Sequence, residues 1–246
     1  MFNFAKSMLL AVSASVLNPV LGAATVRINA LGDSITGSPG CWRALLWQQL
    51  QNANIKNTDF VGTLAGQGCG FTYDGENDGH GGFLATGIVK NNQLPGWLSI
   101  SKPDIVMMEL GTNDVWSHLP TETIVAALTK LVDQMRSQKP TMRVLVAQIT
   151  PMNPSGCSDC NQGVINLNKA VVAWAPTKST AASPISVVDC FTGFNTATDT
   201  NDGVHPNNSG NAKLANCWFT PLKAAIALAG GNTTTVIPSA STNSKR

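Results

Sequence analysis

Apolar residues along this chain follow two alternating patterns. Short, near-continuous apolar runs read as strands buried on both faces: Val26 to Leu31, Asp104 to Leu110, Val144 to Ile149 and Ile185 to Asp189, with a shorter run at 60–62. Between them apolar residues recur every three or four positions, as on one side of a helix. Trp42, Leu45, Leu46 and Leu50 do so over 42–52, and Ile124, Leu128, Leu131 and Met135 over 121–137, where Thr121 is placed to cap the helix. Further helices are predicted at 83–91, through Ile165, Leu167 and Val172, and over about 209–229. The glycine-rich stretch 63–82 has neither period and reads as a long loop.

Strands that alternate with helices imply right-handed crossovers and a parallel sheet covered on both sides. The expected fold is therefore α/β, a three-layer α/β/α sandwich around a five-stranded parallel sheet. Ligands of such sheets bind beyond the carboxyl ends of the strands, so residues just past each run deserve the closest reading.

The two ends of the chain read differently. Residues 1–22 carry one charge, Lys6, then the apolar run Met8 to Val12 and the small residues Gly22, Ala23 and Ala24, which is the pattern of a secretory signal. Ser13, Ser15, Asn18 and Pro19 interrupt it well short of the roughly 20 apolar residues that span a bilayer. Residues 230–246 are rich in Thr, Ser and Asn and read as a disordered tail. A single domain is left at 23–229. A net charge of +2, with basic residues scattered, argues against a nucleic-acid partner. No later segment suggests a membrane partner, and secretion as a monomer is the expectation.

Six cysteines follow the signal, an even count that fits disulfides in an oxidising compartment. The count leaves the pairing open. A local Cys157–Cys160 loop with Cys41–Cys69 and Cys190–Cys217 as longer bridges is the expected set. A zinc or redox reading of Cys157-Ser-Asp-Cys160 lacks a second ligand pair, and the motif reads as loop after Pro151 and Pro154. Two glycosylation sequons occur; Asn232 is the expected acceptor and Asn207, beside His205, is expected to stay unmodified.

Four short stretches carry the chemistry. Gly32-Asp33-Ser34 follows the first strand, where a tight turn into a helix presents the Ser34 hydroxyl. Asp33 is expected to hold that turn. A serine needs a base, and among His80, His118 and His205 only His205 has an acidic residue three positions earlier, Asp202, with Gly203 between to allow a tight loop. An N-capping loop is the structural alternative for that pair. Attack on an ester carbonyl also needs donors for the oxyanion. Gly82, Asn113 and the backbone N–H of Ser34 are the candidates. His80 and Trp116 are candidate substrate contacts, with support of the glycine-rich loop the other reading of His80. Trp42 is a third aromatic near a block, with core packing as its alternative.

Taken together, Gly-Asp-Ser-Ile-Thr, the Gly-His-x-Gly loop, Gly-Thr-Asn-Asp and Asp-Gly-Val-His-Pro-Asn resemble the four blocks of the SGNH/GDSL hydrolase superfamily over about residues 26–228. Within it the chain is most similar to carbohydrate esterase family three, the secreted acetylxylan esterases; Phe83 stands where a tryptophan is expected. The resemblance implies a flavodoxin-like sheet, Ser34 as nucleophile, Asp202 and His205 completing a triad, and Gly82 and Asn113 in the oxyanion hole. It implies no cofactor or metal, and an acetylated polysaccharide or oligosaccharide as substrate. A lipase or lysophospholipase of the same fold, acting on longer acyl chains, and a non-catalytic carbohydrate-binding protein are the alternatives.

Overall fold

The computed structural model describes residues 24–230. The expected signal segment, most of the expected tail and Asn232 lie outside the described residues. In chain order the elements are β1 (Val26–Gly32), α1 (Ser34–Gly37), α2 (Cys41–Asn52), β2 (Thr58–Phe60), β3 (Asp78–Gly79), α3 (Ala85–Lys90), α4 (Leu94–Ser101), β4 (Ile105–Glu109), α5 (Thr112–Trp116), α6 (Thr121–Gln138), β5 (Arg143–Gln148), α7 (Cys160–Lys178), β6 (Ile185–Asp189), α8 (Thr196–Asp199) and α9 (Asn208–Ala229).

Every strand pairs parallel, in the order β2-β1-β4-β5-β6, with the two-residue β3 added beside the end of β1. The sheet thus has six strands rather than the expected five, because the loop 63–82 pauses to pair Leu31 with Asp78 and Gly32 with Gly79. Set β3 aside and the order is the flavodoxin-like one, whose direction reverses between β1 and β4. That reversal leaves a crevice at the carboxyl ends of those two strands, where the site is found.

Helices cover both faces. α2 packs on α9, while α6 packs against α3, α4 and α7. The strand interiors Ile28, Ala30, Val106, Met108, Val144 and Val146 are fully enclosed between these layers. Trp42 belongs to this core rather than to a substrate platform: its indole donates to Ile35 O at 3.0 Å and stacks on Trp218 at 5.9 Å.

Three local expectations change. Thr121 is the first residue of α6 and Pro120 occupies the cap, with no side-chain capping bond. The inward face of α7 runs through Val164, Leu167, Val171 and Trp174, whereas Ile165 and Val172 are exposed. The Cys157–Cys160 segment is not wholly loop, since Cys160 opens α7. The three disulfides are the expected pairs, Cys41–Cys69, Cys157–Cys160 and Cys190–Cys217.

Candidate active site

The nucleophile turn is built by close packing at the end of β1. A Cβ on Gly32 would sit 2.1 Å from Thr36 Oγ1 and 2.9 Å from Glu109 O, so only glycine lets α1 fold back over the end of β1 beside β4. Asp33 then caps α1 by accepting the Ile35 N–H at 2.9 Å, which makes it the holder of the turn. Ser34 is half-buried at the mouth of the crevice.

The histidine comes from a loop that is closed on itself. Thr200 and Pro206 form an isolated antiparallel bridge, and Asn201 N–H donates to His205 O at 2.9 Å. Gly203, at φ +87°, makes the tight return possible and lies against Asn153, whose N–H donates to Gly203 O at 2.8 Å. Asp202 Oδ1 accepts the backbone N–H of Val204 (3.0 Å) and of His205 (2.7 Å), and Oδ2 lies 2.7 Å from His205 Nδ1. The slight burial of Asp202 works against its charge, but the bonds from His205 and Val204 prevail and hold its carboxyl below the usual range. With the carboxylate accepting at Nδ1, Nε2 is left to accept from Ser34 Oγ, 2.9 Å away. The three residues therefore form one hydrogen-bonded line.

Asn207 closes this loop onto α9. Its Oδ1 accepts from Ser209 and Gly210 N–H, and its Nδ2 donates to Thr198 O at 2.9 Å and Thr200 O at 3.3 Å. A glycan on Nδ2 would replace one of the two hydrogens that make those Nδ2 bonds.

The opposite wall is assembled from distant pieces. Asn113, on α5 just past β4, spends one Nδ2 hydrogen on Phe83 O at 2.9 Å, which orients the amide and leaves the second hydrogen for a ligand. Next to it Asp114, fully buried, accepts from Ala85 N–H (2.7 Å), Thr86 N–H (3.0 Å) and the Thr86 hydroxyl (2.7 Å). That carboxylate caps α3 and ties the glycine-rich loop to the end of β4. In the loop, Gly81 borders the nucleophile: a Cβ there would lie 3.9 Å from Ser34 Cβ. Gly82 follows at φ +77° in open surroundings.

His80 is held under this loop. Its ring stacks on Trp97 at 4.0 Å and lies beside Phe83 at 5.0 Å, only 14% of the side chain is exposed, and Nε2 lies 3.7 Å from Asp78 Oδ1. This is the loop-supporting position rather than an open contact surface. Trp116, one helical turn beyond Asn113, is 40% exposed. His118, Cys157 and Asp159 bring ligand atoms within 4.8 Å of one another, yet Cys157 Sγ is committed to its disulfide with Cys160, so the group is not a metal donor set.

Two carboxyls lie beneath the nucleophile. Glu109 pairs in register with Gly32, is 1% exposed, and neither of its oxygens has a hydrogen-bond partner among the described residues. Burial pushes its carboxyl up to about 8, with the Asp33 charge adding to the effect. Burial also raises Asp33 to about 6, against the Ile35 N–H bond. Glu109 therefore keeps its proton to higher pH than an ordinary carboxyl. Sequence reasoning passed over Glu109, Asp114 and Trp97. A lone acid in the apolar run 105–110 was a readable signal for the first, and Leu94-Pro95 as a helix start for the α4 that carries Trp97.

Fold and geometry together define a serine-hydrolase-like α/β protein, with a Ser-His-Asp line facing an amide-bearing wall across the sheet's switch point. The chain belongs to the GDSL-like Lipase/Acylhydrolase family, whose profile matches residues 30–213. It is 33% identical to a carbohydrate esterase family 3 protein from Talaromyces cellulolyticus, covering 82% of this chain and 98% of that one with a TM-score of 0.74. An acetyl esterase mutant solved with an acetate ion is equally similar, at 33% identity, the same coverage and a TM-score of 0.74. A multidomain esterase from Ruminococcus flavefaciens is 27% identical over 85% of this chain, which spans 30% of that relative's length.

Proposed function

We propose that this protein is a secreted acetylesterase that removes acetyl groups from acetylated xylan or a related plant polysaccharide. One observation carries the reading: Ser34 Oγ, His205 Nε2 and Nδ1, and Asp202 Oδ2 form an unbroken hydrogen-bonded line with steps of 2.9 and 2.7 Å. Resemblance to an acetyl esterase and to a family 3 carbohydrate esterase supports the acetyl group and the carbohydrate. Three disulfides support an oxidising, extracellular setting.

In this reading Ser34 Oγ attacks the acetyl carbonyl while His205 Nε2 takes the hydroxyl proton, and Asp202 stabilises the resulting imidazolium. The carbonyl oxygen, now negative, is met by the second Nδ2 hydrogen of Asn113 and the backbone N–H groups of Gly82 and Ser34. Collapse breaks the bond to the sugar oxygen, which leaves with the proton from His205. Water then enters, gives a proton to His205, and attacks the acetyl-serine; acetate departs and Ser34 regains its proton. Every step uses the chain's own residues, and none calls for a metal.

The test is acetate release from acetylated xylan by the parent chain beside Ser34→Ala, with nitrophenyl esters of increasing acyl length alongside. Release that disappears in the variant, with acetyl preferred over longer esters, is the expected result. Octanoate or longer esters turned over faster than acetate would replace the acetylesterase with a lipase. Silence on every ester would return the protein to a binding role.

A further inference from the structure

A second cavity opens on the same rim as the triad. It lies where α2 and α9 both begin, between Cys41 and Leu45 of α2, Asn208 and Ala212 of α9, and Phe71 of the long loop, and it holds about 540 Å³. Helices of a parallel α/β fold start at the carboxyl ends of the strands, so this cavity lies toward the same end of the sheet as Ser34 and His205. The connections are short: Asn208 is three residues past His205, and Cys41 follows the turn that Ser34 begins, where Ser38 N–H donates to Ser34 O.

Its wall is built rather than incidental. The Cys41–Cys69 disulfide ties the loop to the first residue of α2. Arg43, buried, donates to Gly75 O at 2.6 Å and to Thr36 O at 2.7 Å, joining the far side of the loop to the nucleophile turn. Tyr73 leans on Phe71 at 6.1 Å and its hydroxyl donates to Gln67 O at 3.0 Å. Phe71 is thereby held with 36% of its surface exposed. Pre-organised walls avoid the entropy of ordering a loop on binding, which lets weak contacts count.

The lining chemistry selects the occupant. The volume falls inside the roughly 300–1,000 Å³ of small-molecule sites. One aromatic ring, the aliphatic side chains of Leu45 and Ala212 and a disulfide supply apolar surface, and two amides interrupt it. Asn211 is committed, accepting Trp42 N–H at 3.0 Å and donating to Asn207 O at 3.0 Å, so exposed Asn208 is the amide this rim offers. A ring with one apolar face and a fringe of hydroxyls fits such a surface; a long acyl chain would leave the amides facing hydrocarbon.

We propose that this cavity is a subsite for a pyranose ring of the same glycan that carries the scissile acetyl group, with Phe71 under the sugar's apolar face and Asn208 bonded to its hydroxyls. The subsite rests on the esterase reading and names where that enzyme grips the polymer beyond the ester. Phe71 and Asn208 would set KM for glycans and leave the chemistry at Ser34 alone.

The experiment measures KM and kcat for acetylated xylo-oligosaccharides and for nitrophenyl acetate in the parent, Phe71→Ala, Phe71→Tyr and Asn208→Ala chains. In the Phe71→Ala and Asn208→Ala chains the oligosaccharide KM is expected to rise about tenfold and about threefold respectively, with nitrophenyl acetate kinetics within about twofold of parent. Phe71→Tyr, which keeps an aromatic face, is expected to restore the parent KM, and it is the unchanged nitrophenyl acetate kinetics of Phe71→Ala that exclude a mere folding defect. A Cys41→Ser/Cys69→Ser chain is expected to show the Phe71→Ala phenotype. Unchanged oligosaccharide KM in the Phe71→Ala and Asn208→Ala chains overturns the subsite. So does a Phe71→Ala defect confined to nitrophenyl octanoate, which assigns the cavity to an acyl chain. Failure of the parent itself on nitrophenyl acetate would sink the esterase reading first, and is thereby distinguishable.

Discussion

The two walls of the crevice are made in opposite ways. The Asp202–His205 wall is one short loop whose carboxylate grips both the ring and the backbone of the histidine three residues on. Its two functional side chains are half-exposed, 42% for His205 and 54% for Asp202, while Val204 between them anchors the loop in the core. The Asn113 wall joins residues about thirty apart in sequence, through Asn113 to Phe83 O and through Asp114 to Ala85 and Thr86. It is anchored on a carboxylate with no exposure at all. In the proposed mechanism the first wall carries chemistry with few bonds to the rest of the fold, whereas in the second the bonds that set geometry also hold the fold together.

That contrast can be broken experimentally, beginning where the effect is greatest. His205→Ala is expected to lower kcat by about 10⁴-fold or more while unfolding free energy stays within about 0.5 kcal/mol of parent. Steady-state kinetics and urea titration read both quantities, and a large stability loss would show that the loop is structural after all. Asn113→Ala is expected to cost roughly 10²–10³ in kcat with little change in KM. A loss confined to KM would mean the amide holds ground-state substrate and not the oxyanion.

Asp114→Ala touches no reacting atom, yet should lower kcat by about tenfold and stability by about 2–4 kcal/mol, since it strands one buried and two part-buried donors. Asp114→Asn, which keeps an acceptor, is expected to recover part of both. If the alanine variant lost stability with kcat unchanged, the oxyanion wall would not depend on this anchor.

The smallest effect concerns the carboxyls beneath Ser34. Burial raises both, so the folded chain keeps protons that the unfolded chain releases. Their stabilising contribution is present below the ordinary carboxyl range and is lost as pH rises through about 6 for Asp33 and about 8 for Glu109. Glu109→Gln should flatten the decline of unfolding free energy between those two values, measured by urea unfolding at stepped pH. A slope equal to that of the parent would show that Glu109 is already ionised in the fold.

The same contrast explains what the sequence made legible. Asp202 and His205 are close in sequence with a glycine between them, so a tight loop joining them was legible, while the choice between a catalytic pair and an N-capping loop came only with the four blocks taken together. Ser34 and Asn113 were placed by topology, because both follow strands that border the switch point. The role of Asp114 was hidden although its block was recognised, because its partners Ala85 and Thr86 lie in another segment and are bound through backbone N–H groups that any residue type supplies. Period-counting also put Ile165 and Val172 inward on α7, where packing chose Val164, Leu167 and Val171 instead. The strand β3 escaped notice because two residues, Asp78 and Gly79, carry no period at all.

The proposed mechanism turns on His205 activating Ser34 across 2.9 Å. Organophosphate labelling of the intact chain, located by peptide mass spectrometry, tests that claim without assuming a substrate. One adduct on Ser34 in the parent, formed at least about 10³-fold more slowly in His205→Ala, is the result the account predicts. Labelling of another residue, or equal rates in the two chains, would contradict it.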